Sequence, residues 1–133
     1  MDKTNVMVEF SVIGEKFNPN VITKVLQIEP TEYYFNGDKS KRNIERKETC
    51  WYISTGYVDT LYISDVLSTI IDKLKDKEKK LNDLKNQLNL TYKFFIVIKI
   101  ENGQVPAIYL DSKVIDFANS IKAEFDFDMY IYS

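Results

Sequence analysis

Asp126 and Asp128 stand two residues apart in the closing stretch FDFDMYIY, whose alternation predicts a strand. On one strand face they lie about 6.6 Å apart at roughly 3.3 Å per residue, a separation compatible with inverting glycoside hydrolysis. Any two acidic residues so placed on a strand share that spacing, and a polar outer face is the simpler account. Anion binding would draw instead on Lys39, Lys41, Arg42, Arg46 and Lys47, which crowd the run from Asp38 to Glu48 beside Trp51. The same run, with Trp51 or Tyr52 as a stacking platform, has the elements of a single-strand nucleic-acid site. Asp38, Glu45 and Glu48 dilute its field, and the formal net charge of −2 argues against nucleic acid as a partner. Neither a GxGxxG nor a P-loop pattern occurs.

With no histidine among 133 residues, Ser-His and Cys-His nucleophile pairs, imidazole acid/base chemistry and histidine-ligated metals are all excluded. Carboxylate, lysine or tyrosine chemistry remains open, as does a carboxylate-bound magnesium or calcium ion. Cys50 is the single cysteine, so an intramolecular disulfide is impossible and a thiolate zinc cluster is missing. The expectation is therefore no catalytic constellation, no metal and no cofactor. Met1 to Asn5 shows no basic stretch leading into an apolar run, and no segment reaches the length of a membrane span. A cytoplasmic protein without a membrane partner is expected.

The elements that must position these residues follow from periodicity. Val6, Val8, Phe10 and Val12 alternate with Met7, Glu9, Ser11 and Ile13, giving a first strand that ends at Gly14. Asn18-Pro19 marks a helix start, Val21, Ile22, Val25 and Leu26 supply its buried side, and Pro30 stops it. A second strand runs from Tyr33 to Phe35 and turns at Asn36-Gly37; the polar run 38–48 then forms a solvated, flexible hairpin loop. Cys50 to Thr55 is a third strand, with Trp51, Ile53 and Thr55 on one face and Cys50, Tyr52 and Ser54 on the other; Trp51 reads first as a core residue or the edge of a core and second as a ligand platform.

From Leu61 to Leu90 the apolar stripe of Val66, Leu67, Ile70, Ile71, Leu74, Leu81, Leu84 and Leu88 predicts one long helix, started by Thr60 or Ser64 with Asp65 in its first turn. Leu67, Leu74, Leu81 and Leu88 are spaced by sevens, so a homo-oligomer through helix 61–90 has to be considered, although Lys77 interrupts the companion register. Tyr92 to Glu101 is the strongest strand, apolar on both sides at its centre. A short strand at 105–110, a helix capped by Asp111 or Ser112 and a last strand from Phe125 to Tyr132 complete the chain.

Helices interleaved with strand pairs predict a single α+β domain over residues 1–133. Its sheet is mainly antiparallel, its helices cover one face, and its order is β-α-β-β-α(long)-β-(β)-α-β, partly ferredoxin-like. Several phrases then carry a resemblance: Phe10 to Gly14 with Asn18-Pro19, Leu26 through Glu29-Pro30-Thr31, Gly37, the basic run, Trp51 with Ile53, and Asp126 to Tyr130. In that order they resemble the bacterial domain-of-unknown-function family 4279 over nearly the whole chain. The resemblance implies a small, free-standing α+β protein and brings no catalytic residue with it.

The leading functional expectation is a non-enzymatic protein-binding module that uses Asp126, Asp128, Tyr130 and Tyr132, since tyrosine joins contact area to a polar end. Toxin neutralisation in an immunity pair is one form of it, by analogy with other small bacterial α+β proteins. The alternative is a small-ligand or anion binder, or an enzyme, built on Lys41, Arg42, Arg46 and Trp51.

Overall fold

A computed structural model describes residues 2–132. Its elements are β1 (Asn5–Gly14), α1 (Pro19–Leu26), β2 (Glu32–Tyr34), β3 (Thr49–Ser54), β4 (Val58–Asp59), α2 (Ile63–Leu74), α3 (Glu78–Leu88), β5 (Thr91–Ile100), α4 (Ser112–Ser120) and β6 (Glu124–Ile131). The strands form one sheet in the order β2-β3-β1-β5-β6, with the short β4 also paired to β1. All pairings are antiparallel except β5 with β6. The sub-order β2-β3-β1-β5, with helices after β1 and β3, is the ferredoxin-like plan; the α4 crossover adds β6 as a parallel outer strand.

Alternation decides which side is buried. Val6, Val8, Phe10 and Val12 of β1 and Tyr92, Phe94, Ile96 and Ile98 of β5 are fully buried, as is Trp51 of β3. They meet Ile22 and Leu26 of α1, the stripe of α2, Leu81 and Leu84 of α3, and Val114 and Ala118 of α4 in one apolar cluster. Every helix therefore lies on the same face of the sheet. Phe10 bridges Tyr92 and Phe94, with ring centroids 5.5 and 5.1 Å away. The Tyr92 hydroxyl donates to the Leu81 carbonyl at 2.6 Å, which ties α3 to β5.

The predicted caps at Asn18 and Asp111 form. Asn18 accepts from the Asn20 amide at 3.0 Å, and Asp111 from the Val114 amide at 2.9 Å. The single long helix does not. Lys75, Asp76 and Lys77 separate α2 from α3, and the Lys77 amide turns back to the Leu74 carbonyl at 2.9 Å. The stripe has no apolar residue between Leu74 and Leu81, so no burial holds a continuous helix across that span, whereas the break returns Leu81 and Leu84 to the core. Leu67, Leu74 and Leu81 are all fully buried within the chain, so the heptad-spaced leucines form no free seam. Nor does Thr60 or Ser64 cap α2, whose N-cap is Tyr62 without a side-chain bond; Thr60 Oγ1 accepts from the Tyr62 amide instead.

Residues 105–110 make no strand. Ala107 forms one isolated bridge to Tyr62, and the buried Pro106 beside it has no amide hydrogen to extend a ladder. Run 38–48 is a hairpin held by its own hydrogen bonds, with Arg46 N to Asp38 O at 2.7 Å and Ser40 N to Ile44 O at 2.9 Å. Among the described residues no helix is long and apolar enough to cross a membrane.

Gly14 closes β1 because of space rather than turn conformation. A Cβ there would lie 2.9 Å from Phe17 Cδ1 and 3.0 Å from Leu90 Cδ2. Gly14→Ala should cost about 1–3 kcal/mol by overpacking. The urea midpoint reads this directly, and an unchanged midpoint would show that Phe17 and Leu90 move aside freely.

Candidate functional site

The face opposite the helices carries the alternate residues of the same strands. Cross-strand partners share a face, so the register sets Tyr52 beside Ser11 and Ser11 beside Lys93, then Glu9 beside Phe95 and Phe95 beside Asp126. One row further, Met7, Val97 and Asp128 align, followed by Asn5, Lys99 and Tyr130. Among the described residues no helix covers these rows. At the β2–β3 side the hairpin rises over them and closes a cleft of about 970 Å³, floored by Glu9, Ser11, Ile13, Cys50, Tyr52 and Phe95.

The hairpin is anchored where it leaves the sheet. Asn36 donates through Nδ2 to the carbonyls of Glu15 and Lys47, at 3.1 and 3.2 Å, and its amide reaches Thr49 Oγ1 at 3.1 Å. Gly37, at φ 95°, supplies the turn that most side chains resist. The Arg46 guanidinium lies 4.0 Å from the centroid of the Tyr34 ring, a cation–π contact at the cleft wall. Tyr52 donates its hydroxyl to Glu32 at 2.6 Å, and Lys47 pairs with Glu45 at 3.0 Å.

Glu9 is the group in tension with its surroundings. Burial in the centre of the sheet pushes its carboxyl above the ordinary range, and donation from Ser11 Oγ at 2.9 Å draws it only partly back. Burial likewise raises Cys50 to about 11, against hydrogen bonds with Tyr34 and Ser11 and with the help of the Glu9 and Glu48 charges. Tyr34 and Tyr52 are raised in the same direction, first by burial, then by Cys50 for Tyr34 and by Glu32 for Tyr52.

Of the basic candidates, Lys41, Arg42 and Arg46 all line the cleft. Trp51 does not, and its reading as a ligand platform is corrected. It is fully buried on the helix side, where its indole N–H donates to Thr23 Oγ1 at 2.9 Å. Its neighbours Cys50 and Tyr52, one residue out of phase, hold the positions in the floor. Asp126, Asp128 and Tyr130 share the open face with the cleft but lie on the outer strand at the far side of the sheet, and Tyr132 follows just beyond that strand.

Sequence reasoning missed the half-buried Glu9 and Phe95, and the buried Ser11 between them, as parts of the cleft floor. One available signal was a carboxylate in the middle of a mostly apolar strand. The cleft lining also holds Lys39, Lys41, Arg42, Arg46 and Lys47 against Glu9, Glu32, Asp38, Glu45 and Glu48, so its charge is balanced. Among the described residues no group of three or more cysteine, aspartate or glutamate side chains is placed to share a metal ion.

The family described as Domain of unknown function (DUF4279) matches residues 3–132, and the chain belongs to it. No curated protein and no solved structure matches.

The raised carboxyl of Glu9 means that its ionisation opposes folding. Its contribution is fully favourable below the ordinary carboxylate range and is lost as pH rises through the elevated value. Glu9→Gln should therefore raise the melting temperature at neutral pH, with the gain vanishing in acid; a gain independent of pH would remove ionisation as its cause. Cys50 should react with a thiol reagent near pH 8 more slowly than an exposed cysteine by on the order of 100-fold, and normally once unfolded in urea. Rapid labelling of the native chain would contradict the burial of that thiol.

Proposed function

We propose that this member of the DUF4279 family is a non-enzymatic module that binds a protein partner across the uncovered face of its sheet. The observation that carries this reading is the continuity of that face. From the hairpin cleft to β6 it presents Tyr52, Phe95 and Tyr130 among Glu9, Lys93, Lys99, Asp126 and Asp128, with cross-strand neighbours in register. Aromatic contact area mixed with both signs of charge suits a polypeptide surface, which offers apolar and charged groups together. The Lys99 ammonium already lies 3.9 Å from the centroid of the Tyr57 ring, so the far end of the face is partly organised without a partner.

The balanced lining argues against a dedicated anion site, because the five basic side chains of the hairpin share the cleft with five acidic ones. One feature favours a small ligand instead: a cleft of about 970 Å³ lies at the upper end of the usual range for small-molecule sites. The two readings differ in extent. A small ligand would engage Arg46 and Tyr52 but not β6, whereas a protein partner would engage both.

A photo-crosslinking amino acid placed at Phe95 should trap a discrete protein partner from cell extract, and the same group at Val21, on the outer side of α1, should not. Tyr52→Ala and Tyr130→Ala, in separately verified folded variants, should each lower the affinity of that partner by about tenfold or more. Equal trapping from positions 95 and 21 would defeat the proposal. Loss with Tyr52→Ala alone would transfer the site to a ligand confined to the cleft.

A further inference from the structure

The two edges of the sheet are built differently. β2 is three residues long and sits beside the hairpin, whereas β6 offers eight residues with neither proline nor glycine. Long flat edges are normally shortened, bulged, covered or charged. On β6 the only charges beyond Glu124 are Asp126 and Asp128, both on the open face, while on the helix side Phe127, Met129 and Ile131 are 38, 48 and 78% exposed.

The Tyr132 amide donates to the Ile100 carbonyl at 2.8 Å, so the even-numbered residues of this segment direct their backbone groups toward β5. By the two-residue repeat of a strand, residues 125, 127, 129 and 131 direct theirs outward. No backbone hydrogen bond among the described residues occupies those outward groups.

We infer that this edge pairs with β6 of a second copy of the chain, antiparallel and with Met129 on the two-fold axis. In that register Phe127 lies opposite Ile131, Asp128 opposite Tyr130, and Asp126 opposite Tyr132 of the other copy. Each carboxylate thus meets a phenol that can donate to it, and each exposed apolar side chain meets another. The pairs at 127, 129 and 131 are those with outward amides and carbonyls, so side-chain matching and backbone hydrogen bonding select the same alignment.

Neighbouring registers fail on charge or length. Centring on Asp128 sets the two Asp128 carboxylates face to face, and centring on Phe127 sets Asp126 against Asp128. Centring on Tyr130 leaves Phe127 without an apolar partner. The result is an isologous dimer whose sheet, and whose open face, run continuously through both copies. It uses the edge of β6 and stands whether or not the open face binds another protein.

Sedimentation equilibrium of the full chain under reducing conditions should show the mass rising with concentration from 15.6 kDa toward twice that value. In a Cys50→Ala background, Met129→Cys should oxidise to a disulfide dimer, because directly opposed residues of a hydrogen-bonded pair sit about 5.5 Å apart. Phe127→Cys should not, since its two copies would be more than about 13 Å apart. Met129→Lys, which sets two ammonium groups on the axis, should weaken association at least tenfold with an unchanged circular dichroism spectrum. A chain that stays monomeric to millimolar concentration, a dimer that survives Met129→Lys, or crosslinking at 127 as efficient as at 129 would each overturn the inference. A heterologous adduct in the crosslinking experiment differs from this dimer by mass, so the two proposals fail separately.

Discussion

The uninterrupted antiparallel register of β1 with β5 is the constraint on which the rest of the molecule depends. It joins the two longest strands at the centre of the sheet and assigns every residue of both to one face or the other. Once Phe10 stands beside Phe94 and Val8 beside Ile96, the helix side is apolar along the whole centre. A slip of one residue would bring Glu9, Ser11 and Lys93 under the helices and expose the valines and isoleucines. Among the described residues four helices, none longer than 12 residues, then suffice to cover one face. The broken segment between α2 and α3 belongs to this economy of cover, because it lets two short amphipathic pieces each follow the sheet.

Covering one face leaves the other open, and that asymmetry carries the functional reading. The open face is not uniformly polar: the half-buried Met7, Val97 and Phe95 stand among charged and tyrosine side chains. Glu9 is kept there although burial opposes its ionised form. In the proposed complex an incoming donor would offset that burial. The hairpin adds relief to a surface that would otherwise be a gently twisted plane, and its anchoring through Asn36 and Thr49 makes that relief part of the fold.

The parallel addition of β6 explains the contrast between the two edges. The α4 crossover packs through Val114 and Ala118, and Phe125 stacks on Phe94 at 5.2 Å, so the first part of β6 is held by the core. Beyond it Phe127, Met129 and Ile131 become progressively more exposed. The strand thus leaves the shelter of its own helix layer while still carrying a complete set of outward backbone groups. Self-pairing satisfies those groups and covers the apolar side chains at the same time.

Much of this was legible in the chain itself. The alternation of Val6 to Val12 and of Tyr92 to Ile100, the capping residues Asn18 and Asp111, and the apolar stripe of α2 depend on interactions between residues near in sequence, so local periodicity determined them. Tertiary structure decided what periodicity cannot express. Trp51 and Tyr52 are adjacent and both aromatic, yet one is core and the other surface, because pairing with Val12 and Ser11 of β1 assigns their faces. The cleft brings Glu9, Phe95 and Arg46 together from segments far apart in the chain, and the break after Leu74 follows from where burial is available. Sequence specifies which residues can share a face; only strand register specifies which face meets the helices and which meets solvent, because that choice depends on partners distant along the chain.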